Sequence, residues 1–350
     1  MHPSHDYYMR LALQLAAKGR YTVSPNPMVG CVLVNHDEIV GTGFHVYAGG
    51  PHAEVVALAA AGHNAVGATA YLTLEPCCHY GRTPPCTDAL IAAGIAKVFM
   101  ATLDPNPLVA GQGMAALRAA GIAVEAGLLQ TEAEKLNRIF FHYMQHGTPF
   151  VIAKWAMSLD GKMITHENDS RAITSTPTMA DVHATRQQVD AILIGANTAL
   201  HDNPQLTVRH VPAEAAFVKH PLRVILSSHT HLPLDLKLFD PQLPGKTLLV
   251  TTEKTNKKDI EIVTLPANHK QQVDLPALLI YLGKQNITSL LVEGGHTILA
   301  SFFEENLVNE VTAYIAPVII SHLSQKKKIY LQDVMPIGAD YCFKGYVEEK

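Results

Sequence analysis

Hydrophobic positions in the first 147 residues follow helical and strand periodicity in turn. Apolar residues at helical spacing predict helices over 7–18, 55–61, 87–93, 114–120 and 129–145. Short apolar runs predict strands over 29–34, 39–43, 70–74 and 98–102, of which the first two form a strand pair. This alternation predicts a three-layered α/β domain with a largely parallel sheet.

A second α/β series begins after Gly147-Thr148-Pro149, where glycine and proline interrupt the pattern. We therefore predict two domains, 1–147 and 148–350. Predicted strands of the second domain are 150–155, 191–195, 223–227, 247–251, 289–292 and 311–315. Predicted helices are 178–188, 275–284 and 297–305, and 229–244, rich in His, Pro and Asp, is a predicted surface loop. The two halves do not resemble each other.

Composition and charge narrow the class of protein. Of 350 residues, 48% are apolar and 17% charged, which excludes a disordered chain. The net charge of −4 offers no general attraction for nucleic acid or anionic lipid. No apolar stretch approaches the roughly 20 residues that span a bilayer, and the N-terminus lacks the layout of a secretory signal. We expect a cytoplasmic enzyme with no nucleic-acid partner and no membrane association.

The five cysteines are clustered rather than spread along the chain. Cys77, Cys78 and Cys86 fall within ten residues, whereas Cys31 and Cys342 stand alone. A disulfide framework distributes its cysteines through a shorter, secreted chain. The clustering indicates a metal site or a reactive thiol instead.

Two short motifs supply the ligands of a candidate zinc site. His52 and Glu54 open a predicted helix, and residues 75–86 read EPCCHYGRTPPC and end where the next helix begins. His52, Cys77 and Cys86 offer three protein ligands, the number that leaves tetrahedral Zn²⁺ an open position for water. A zinc-bound water ionises near neutral pH. Glu54 is then placed to take its proton and pass it to a leaving amine.

The pattern H-x-E followed by P-C-x-x-C is the signature of zinc-dependent nucleobase deaminases. Here eight residues, not two, separate Cys77 from Cys86. A structural zinc site, with Cys78 or His79 as a fourth ligand, is the competing interpretation. We favour the catalytic site, because H-x-E joined to P-C…C at strand–helix junctions is seldom a coincidence.

Further motifs, in order along nearly the whole chain, carry a resemblance to a known family. They are PNPMVG (25–30), TLEPCCHYGRTPPC (73–86), DPNP (104–107), KWAMSLDGK (154–162), DAILIG (190–195), DNPQLTVR (202–209) and VEGG (292–295). The chain resembles the bifunctional riboflavin-biosynthesis deaminase–reductases. The resemblance implies a cytidine-deaminase-like domain, followed by a dihydrofolate-reductase-like α/β domain.

The resemblance also implies two consecutive reactions. The deaminase hydrolyses the 2-amino group of 2,5-diamino-6-(5-phosphoribosylamino)pyrimidin-4-one, and the reductase uses NADPH to convert ribosyl to ribityl. It assigns zinc to His52, Cys77 and Cys86, and the proton shuttle to Glu54. The implied partners are these small phosphoribosylaminopyrimidines and further copies of the chain, in a homo-oligomer (dimer or tetramer). The family positions around the pyrimidine and phosphate are matched by Asn26, His45, His79, Arg82, Asp104 and Asn106.

The second domain has neither a G-x-G-x-x-G fingerprint after a strand nor a P-loop. Its Gly294-Gly295 turn follows a buried strand, and such glycines let backbone N–H groups approach a phosphate. By resemblance, the NADPH positions are Ala156, Ala172, Thr198, Asp202, Gly294 and Gly295. The reductase substrate positions are Lys154, Ser170, Arg186, Leu206, Arg209 and Glu293. Arg186 and Arg209 are expected to clamp the 5-phosphate, and Ala172 stands where the family commonly has Trp.

Two alternatives remain open. A nucleobase or tRNA deaminase fused to an unrelated domain is disfavoured by the −4 charge and by the eight residues between Cys77 and Cys86. A zinc-stabilised binding protein without chemistry is the other, and the role of Glu54 separates it from a deaminase.

Overall fold

The chain forms two compact units in a computed structural model. The structure describes residues 4–80, 84–107, 109–163, 175–209, 217–228, 232–253, 260–320, 327–337 and 340–347. One unit comprises Met1–Phe150 and Leu278–Thr288, and the other Val151–Ala277 and Ser289–Lys350. The boundary at residue 147 stays a prediction. Over the described residues, no helix combines the length and the apolar character that a membrane crossing requires.

The first unit is built on a five-stranded sheet with the order β2-β1-β3-β4-β5. Its strands are β1 (Gly30–Asn35), β2 (Glu38–Phe44), β3 (Thr69–Leu72), β4 (Lys97–Met100) and β5 (Ala123–Ala126). Its helices are α1 (His5–Ala16), α2 (Ala53–Ala61), α3 (Cys86–Ala92), α4 (Gln112–Ala119), α5 (Gln130–Leu136) and α6 (Arg138–His146).

The sheet is mixed, so the prediction of a largely parallel sheet is wrong for two of its four pairings. Strand β1 pairs antiparallel with both β2 and β3, and β3-β4-β5 are parallel. The β1–β2 turn explains the hairpin, because His36 and Asp37 both have positive φ (48° and 63°). That conformation belongs to the tight turns that match the twist of antiparallel strands.

Helices cover both faces of this sheet, which confirms the three-layered architecture. Alternate residues of β1 point to opposite faces, so Cys31 and Leu33 join one apolar cluster and Val32 and Val34 the other. The first cluster includes Ala53, Ala57, Leu90 and Leu117 of α2, α3 and α4. The second includes Met9, Ala12 and Ala133 of α1 and α5.

Two glycines of β2 bring α2 close to the sheet. A Cβ on Gly43 would lie 2.3 Å from the Ala53 carbonyl oxygen, and one on Gly41 2.3 Å from that of Ala57. No side chain larger than hydrogen fits there. This close contact fixes the first turn of α2, which carries Glu54 and directly follows His52.

The second unit contains a seven-stranded sheet with the order β10-β9-β8-β7-β11-β6-β12. These strands are β6 (Phe150–Ser158), β7 (Ala191–Gly195), β8 (Leu222–Leu226), β9 (Thr247–Thr251), β10 (Glu261–Thr264), β11 (Ser289–Val292) and β12 (Glu310–Ala316). The helices are α7 (Thr176–Gln188), α8 (Ala196–Asp202), α9 (Leu275–Lys284) and α10 (His296–Glu304). The residues of α9 from Leu278 onward belong to the first unit. A smaller sheet contains β13 (Val318–Ile319), β14 (Lys327–Ile337) and β15 (Asp340–Val347), in the order β13-β14-β15.

Strands β10, β9, β8, β7 and β11 run parallel in succession. Their carboxyl ends therefore meet at one edge of the sheet, which is where open α/β sheets bind ligands.

The segment 129–145 is helical as predicted, but the structure interrupts it at Asn137 and divides it into α5 and α6. The Asn137 side chain accepts a hydrogen bond from the Met28 N–H and donates one to the Met28 carbonyl, each 2.8 Å. Strand β5, helix α8, strand β10 and the β14–β15 hairpin were not predicted from the sequence. The alanine-rich β5 has little strand propensity, and α8 has only seven residues.

Arg223 on β8 is expected to stabilise the second unit. Its side chain is buried and donates to Thr247 Oγ1 and to the carbonyls of Pro244 and Gly245, at 2.6–3.1 Å. Burial lowers the pKa of Arg223. We expect Arg223→Ala to destabilise the unit by about 2–4 kcal/mol, through a cavity and three lost hydrogen bonds.

Urea unfolding followed by the fluorescence of Trp155, the one tryptophan, reports on the same unit. The exposed neighbour Lys246 is the control, and Lys246→Ala is expected to change stability by less than about 0.5 kcal/mol. Equal stability of Arg223→Ala and wild type would contradict the role assigned to Arg223.

Candidate active sites

The predicted zinc ligands come together at the ends of three elements. His52 directly precedes α2, Cys77 lies in the segment after β3, and Cys86 is the first residue of α3. His52 Nδ1 is 3.1 Å from Cys86 Sγ and 3.5 Å from Cys77 Sγ, and the Cys86 N–H donates to Cys77 Sγ at 3.3 Å. Within the described ranges, this is the one group of three or more His, Cys, Asp or Glu side chains that could hold a metal ion.

The three donors fit zinc in both chemistry and spacing. Tetrahedral zinc with ordinary bond lengths places its nitrogen and sulfur ligands about 3.5 Å apart, close to the two distances found here. The Cys86 thiol, the His52 ring and the Cys86 N–H hydrogen-bond Cys77 and lower its pKa to about 4. The hydrogen bond to Cys77 and burial raise the pKa of Cys86. A divalent cation is the group that would let both sulfurs ionise together.

Glu54 lies beside this cluster with part of its carboxylate unused. Its side chain is in the first turn of α2 and is buried. Oxygen Oε2 has no hydrogen-bond partner among the described residues, and burial raises the pKa of Glu54. A buried carboxylate oxygen without a partner is costly, and it is available to a water or a substrate at the cluster.

Asn26 and His45 form a neighbouring hydrogen-bonded pair. His45 Nδ1 is 3.0 Å from the Pro51 carbonyl and His45 Nε2 is 3.1 Å from Asn26 Nδ2. Since a carbonyl only accepts, Nδ1 carries the proton and Nε2 accepts from Asn26. Burial, and the charge of His52, lower the pKa of His45. The ring is therefore neutral and held edge-on to His52, with 5.5 Å between centroids.

Asp104 and Asn106, both predicted to contact the deaminase substrate, lie in one turn after β4. Asp104 Oδ1 accepts from the Asn106 N–H at 2.8 Å. Burial, with the charge of Glu75, raises the pKa of Asp104 to about 6. His79 is exposed, and Arg82 lies outside the described residues.

The adjacent cysteines provide a direct test of the ligand set. We expect Cys77→Ser to lower the zinc content well below one ion per chain, because a hydroxyl replaces a thiolate ligand. Cys78→Ser is the matched control and should keep the wild-type content, since Cys78 is not part of the three-ligand group. The measurement is the zinc content of both purified variants. Zinc lost only from Cys78→Ser would contradict the assignment of Cys77 as a ligand.

In the second unit, Glu293 joins two cationic side chains. Arg186 Nε and Nη2 each donate to one Glu293 oxygen at 2.8 Å, and Lys154 Nζ lies 3.5 Å from Oε2. Burial alone would raise the pKa of Glu293, but the charges of Arg186 and Lys154 outweigh it and lower the pKa to about 2. Glu293 is therefore ionised at neutral pH.

Arg186 is already committed to protein partners. Besides its two bonds to Glu293, its Nη1 donates to the Thr207 carbonyl at 3.3 Å. Arg209 is exposed, its N–H donates to His183 Nδ1 at 3.1 Å, and its guanidinium contacts Gln205. Burial of part of the side chain, and the Arg186 charge, lower the pKa of Arg209. Arg209 is thus the freer of the two arginines predicted to bind phosphate.

A cavity of about 440 Å³ opens where β7, β8 and β11 end. The predicted cofactor residues Thr198 and Gly295 line it, with Ser227 and Ser228 after β8. The Gly295 N–H donates to Thr198 Oγ1 at 3.2 Å, and Gly295 directly precedes α10. A Cβ on Gly294 would lie 2.8 Å from Ile298 Cβ, so glycine is required for this approach.

The remaining reductase predictions are placed as follows. Ala156 is on β6 opposite Tyr314, and Asp202 is exposed at the end of α8. Leu206 is buried with φ of +53°. Ser170 and Ala172 lie outside the described residues.

Sequence reasoning gave no role to Glu75 or Asn137. Asn137 holds the backbone of Met28, two residues from Asn26, and Glu75 binds backbone N–H groups after β4 and at the start of α4. Glu75 stands directly before Pro76-Cys77, and this position was the one signal for it in the sequence.

Comparison with known proteins gives matches in both halves. The cytidine and deoxycytidylate deaminase zinc-binding region matches residues 2–102, and the RibD C-terminal domain matches 149–332. The chain is 44% identical to riboflavin biosynthesis protein RibD of Aquifex aeolicus (97% of this chain, 98% of that protein). It is 41% identical to RibD of Escherichia coli K12 (96% and 98%).

Two solved structures are similar in fold to this chain over nearly its whole length. Acinetobacter baumannii RibD is similar with a TM-score of 0.82 at 37% identity (98% of this chain, 99% of that chain). A diaminohydroxyphosphoribosylaminopyrimidine deaminase/5-amino-6-(5-phosphoribosylamino)uracil reductase from Thermotoga maritima has a TM-score of 0.81 at 34% identity (97% of each).

Proposed function

Because the chain belongs to the RibD family of bifunctional riboflavin-biosynthesis deaminase–reductases, we propose which of its residues carry out each reaction. The first unit is the deaminase, with a zinc-binding region, and the second is the reductase. The observation that carries the deaminase assignment is the His52–Cys77–Cys86 group with the unpartnered Glu54 oxygen beside it.

His52, Cys77 and Cys86 hold the zinc in our proposal. When bound, zinc lowers the pKa of a water and so supplies a nucleophile at neutral pH. Glu54 Oε2 takes the proton of this water and returns it to the 2-amino group, which leaves as ammonia. The reaction therefore replaces the C–N bond with a C–O bond and consumes one water.

Asn26, His45, Asp104 and Asn106 orient the pyrimidine in this proposal, with Arg82 and His79 on the phosphoribosyl side. The support is the fixed geometry of Asn26 and His45, because a neutral His45 ring accepts from Asn26 and leaves no ambiguity in the amide. Asp104 and Asn106 share one turn near His79, whose charge acts on Asp104.

For the reductase, we propose that NADPH occupies the cavity at the ends of β7, β8 and β11. The N-terminus of α10, which follows Gly295, would face its diphosphate, as helix N-termini commonly do. NADPH, when bound, supplies the hydride that reaches C1′ of the ribosyl group. Ala156, Ala172, Asp202 and Gly294 are the further cofactor contacts that we propose.

Lys154 is the proposed proton donor of the reduction. As the C1′–O4′ bond breaks, its ammonium gives a proton to O4′, and Glu293 holds the lysine in place. Ser170 and Leu206 complete the substrate pocket in our proposal. Lys154 and Arg186 both face one carboxylate, Glu293, so the group has an excess of positive charge that suits a phosphate. We propose that Arg209 binds this phosphate, and that Arg186 contributes charge while it orients Glu293.

We further propose that the domains divide near residue 147, that the chain forms a homo-oligomer (dimer or tetramer), and that it works in the cytoplasm. The cysteines of the zinc segment, Cys77, Cys78 and Cys86, form no disulfide, which fits a reducing compartment.

A substrate comparison tests the proposed function. Purified protein should release ammonia from the diaminopyrimidine phosphoribosyl substrate and should then oxidise NADPH only when the deaminated product is present. Ammonia release from cytidine or tRNA alone, or a preference for NADH at equal concentration, would contradict the proposal.

A further inference from the structure

Glu75 occupies a position that the deamination chemistry has not used. It lies three residues beyond β3 and two before Cys77. Its side chain is buried, and its backbone N–H donates to the Thr102 carbonyl at 3.0 Å. The strand-like contact therefore continues past the end of β3 and places the Glu75 carboxylate against the segment after β4.

The carboxylate accepts three backbone hydrogen bonds from that segment. Oε2 accepts from the N–H groups of Asp104 (3.1 Å) and Gly111 (2.9 Å), and Oε1 accepts from Met114 (3.0 Å). Gly111 caps α4 with φ of +85°, and Met114 lies in its first turn. Glu75 thus supplies the cap that α4 does not obtain from its own N-cap residue, and a carboxylate is favoured there.

The same bonds fix the turn that carries Asp104 and Asn106. One Glu75 oxygen holds the first residue of the turn and also Gly111 beyond it. Asn106 is tied to Asp104 Oδ1, and its carbonyl accepts from Val109 and Ala110. Few conformations are left to this turn once both ends are attached to one carboxylate.

Pro76, the residue after Glu75, is packed against α4. A Cβ on Gly113 would lie 2.2 Å from the Pro76 carbonyl oxygen, so α4 and the backbone before Cys77 are in direct contact. Two consecutive residues, Glu75 and Pro76, therefore hold the segment that bears Cys77 in a fixed position relative to the turn that bears Asp104.

We propose that Glu75 is a positioning residue of the deaminase, which sets the Asp104–Asn106 turn relative to Cys77 and so determines how tightly the pyrimidine substrate is bound. This rests on the proposed function in one respect, that Asp104 and Asn106 contact that substrate. Three N–H donors converge on two carboxylate oxygens. In glutamine one of those oxygens becomes an NH₂ group, which faces an N–H donor and cannot accept.

The test is Glu75→Gln, with Glu132→Gln as the matched control. Glu132 lies in the same unit, is exposed and contacts only Arg10 among the ion pairs of the described residues, at 3.7 Å. We expect Glu75→Gln to raise the deamination KM on the order of tenfold, with a much smaller change in kcat. Zinc content and reduction of the deaminated substrate should stay at the wild-type level, and Glu132→Gln should change none of these.

An unchanged KM in Glu75→Gln, with or without a lower melting temperature, would overturn the proposal, because a purely structural role alters stability and not substrate binding. So would loss of zinc at unchanged KM. If Glu75→Gln does not fold, Glu75→Asp decides, since its shorter side chain cannot reach Gly111 and Met114 together. Failure of both variants to fold would show that Glu75 holds the fold, which also overturns the proposal. Wild-type protein that does not deaminate the diaminopyrimidine would refute the proposed function instead.

Discussion

Glu54→Gln is expected to slow ammonia release by at least about a hundredfold, the usual loss when a general acid–base group is removed. The amide is nearly isosteric with the carboxylate, so the first turn of α2 and its tight packing on Gly43 should persist. What is lost is the ability of Oε2 to accept a proton from water and deliver it to the amine. The measurement is steady-state ammonia release from the diaminopyrimidine.

Two internal controls accompany this variant. Zinc should remain at the wild-type stoichiometry, because Glu54 is not one of the three grouped ligands, and the reductase should be unaffected, because it lies in the other unit. Deamination at a near wild-type rate would show that another group moves the proton. Zinc loss with the activity would instead make Glu54 part of the metal site.

Lys154→Met is expected to slow reduction of the deaminated substrate by about a hundredfold or more, while ammonia release is unchanged. Methionine preserves most of the side chain's length and apolar packing but has no proton to give. It also removes one of the two cations that face Glu293, while the forked Arg186 bonds keep that carboxylate in place.

NADPH oxidation with purified deaminated substrate gives the rate. Lys162→Met is the matched control, because Lys162 ends the same sequence motif and its side chain is exposed. Equal losses in the two variants would indicate damage to the segment rather than a lost proton donor, and full activity of Lys154→Met would exclude Lys154 as the donor.

Local motifs made the zinc group predictable from sequence. His52, Cys77 and Cys86 each stand at the junction of a helix or strand, and their chemistry as nitrogen and sulfur donors is visible in the residue types. The βα rhythm likewise predicted most helices and strands. The antiparallel pairing of β1 with β2 depends on the turn at His36-Asp37, whose two positive φ angles no hydrophobic pattern reports.

Groups that bind backbone atoms far along the chain were not predictable. Asn137 was predicted to lie inside a continuous helix. Its role could not be predicted, because its hydrogen-bond partner is the backbone of Met28, 109 residues away. The Glu75 contacts lie 29 to 39 residues downstream. Arg186 looked like a free phosphate clamp in the sequence, whereas the structure occupies it with Glu293, 107 residues away.

The most direct test of two sites that act in order on one chain is a single reaction that starts from the diaminopyrimidine with zinc-loaded protein and NADPH. Ammonia and NADP⁺ should form in equal amounts, with NADPH oxidation lagging behind ammonia release. Glu54→Gln should suppress both products, and Lys154→Met should suppress NADP⁺ alone. Oxidation of NADPH at the full rate in Glu54→Gln without added deaminated substrate would contradict the order of the two reactions.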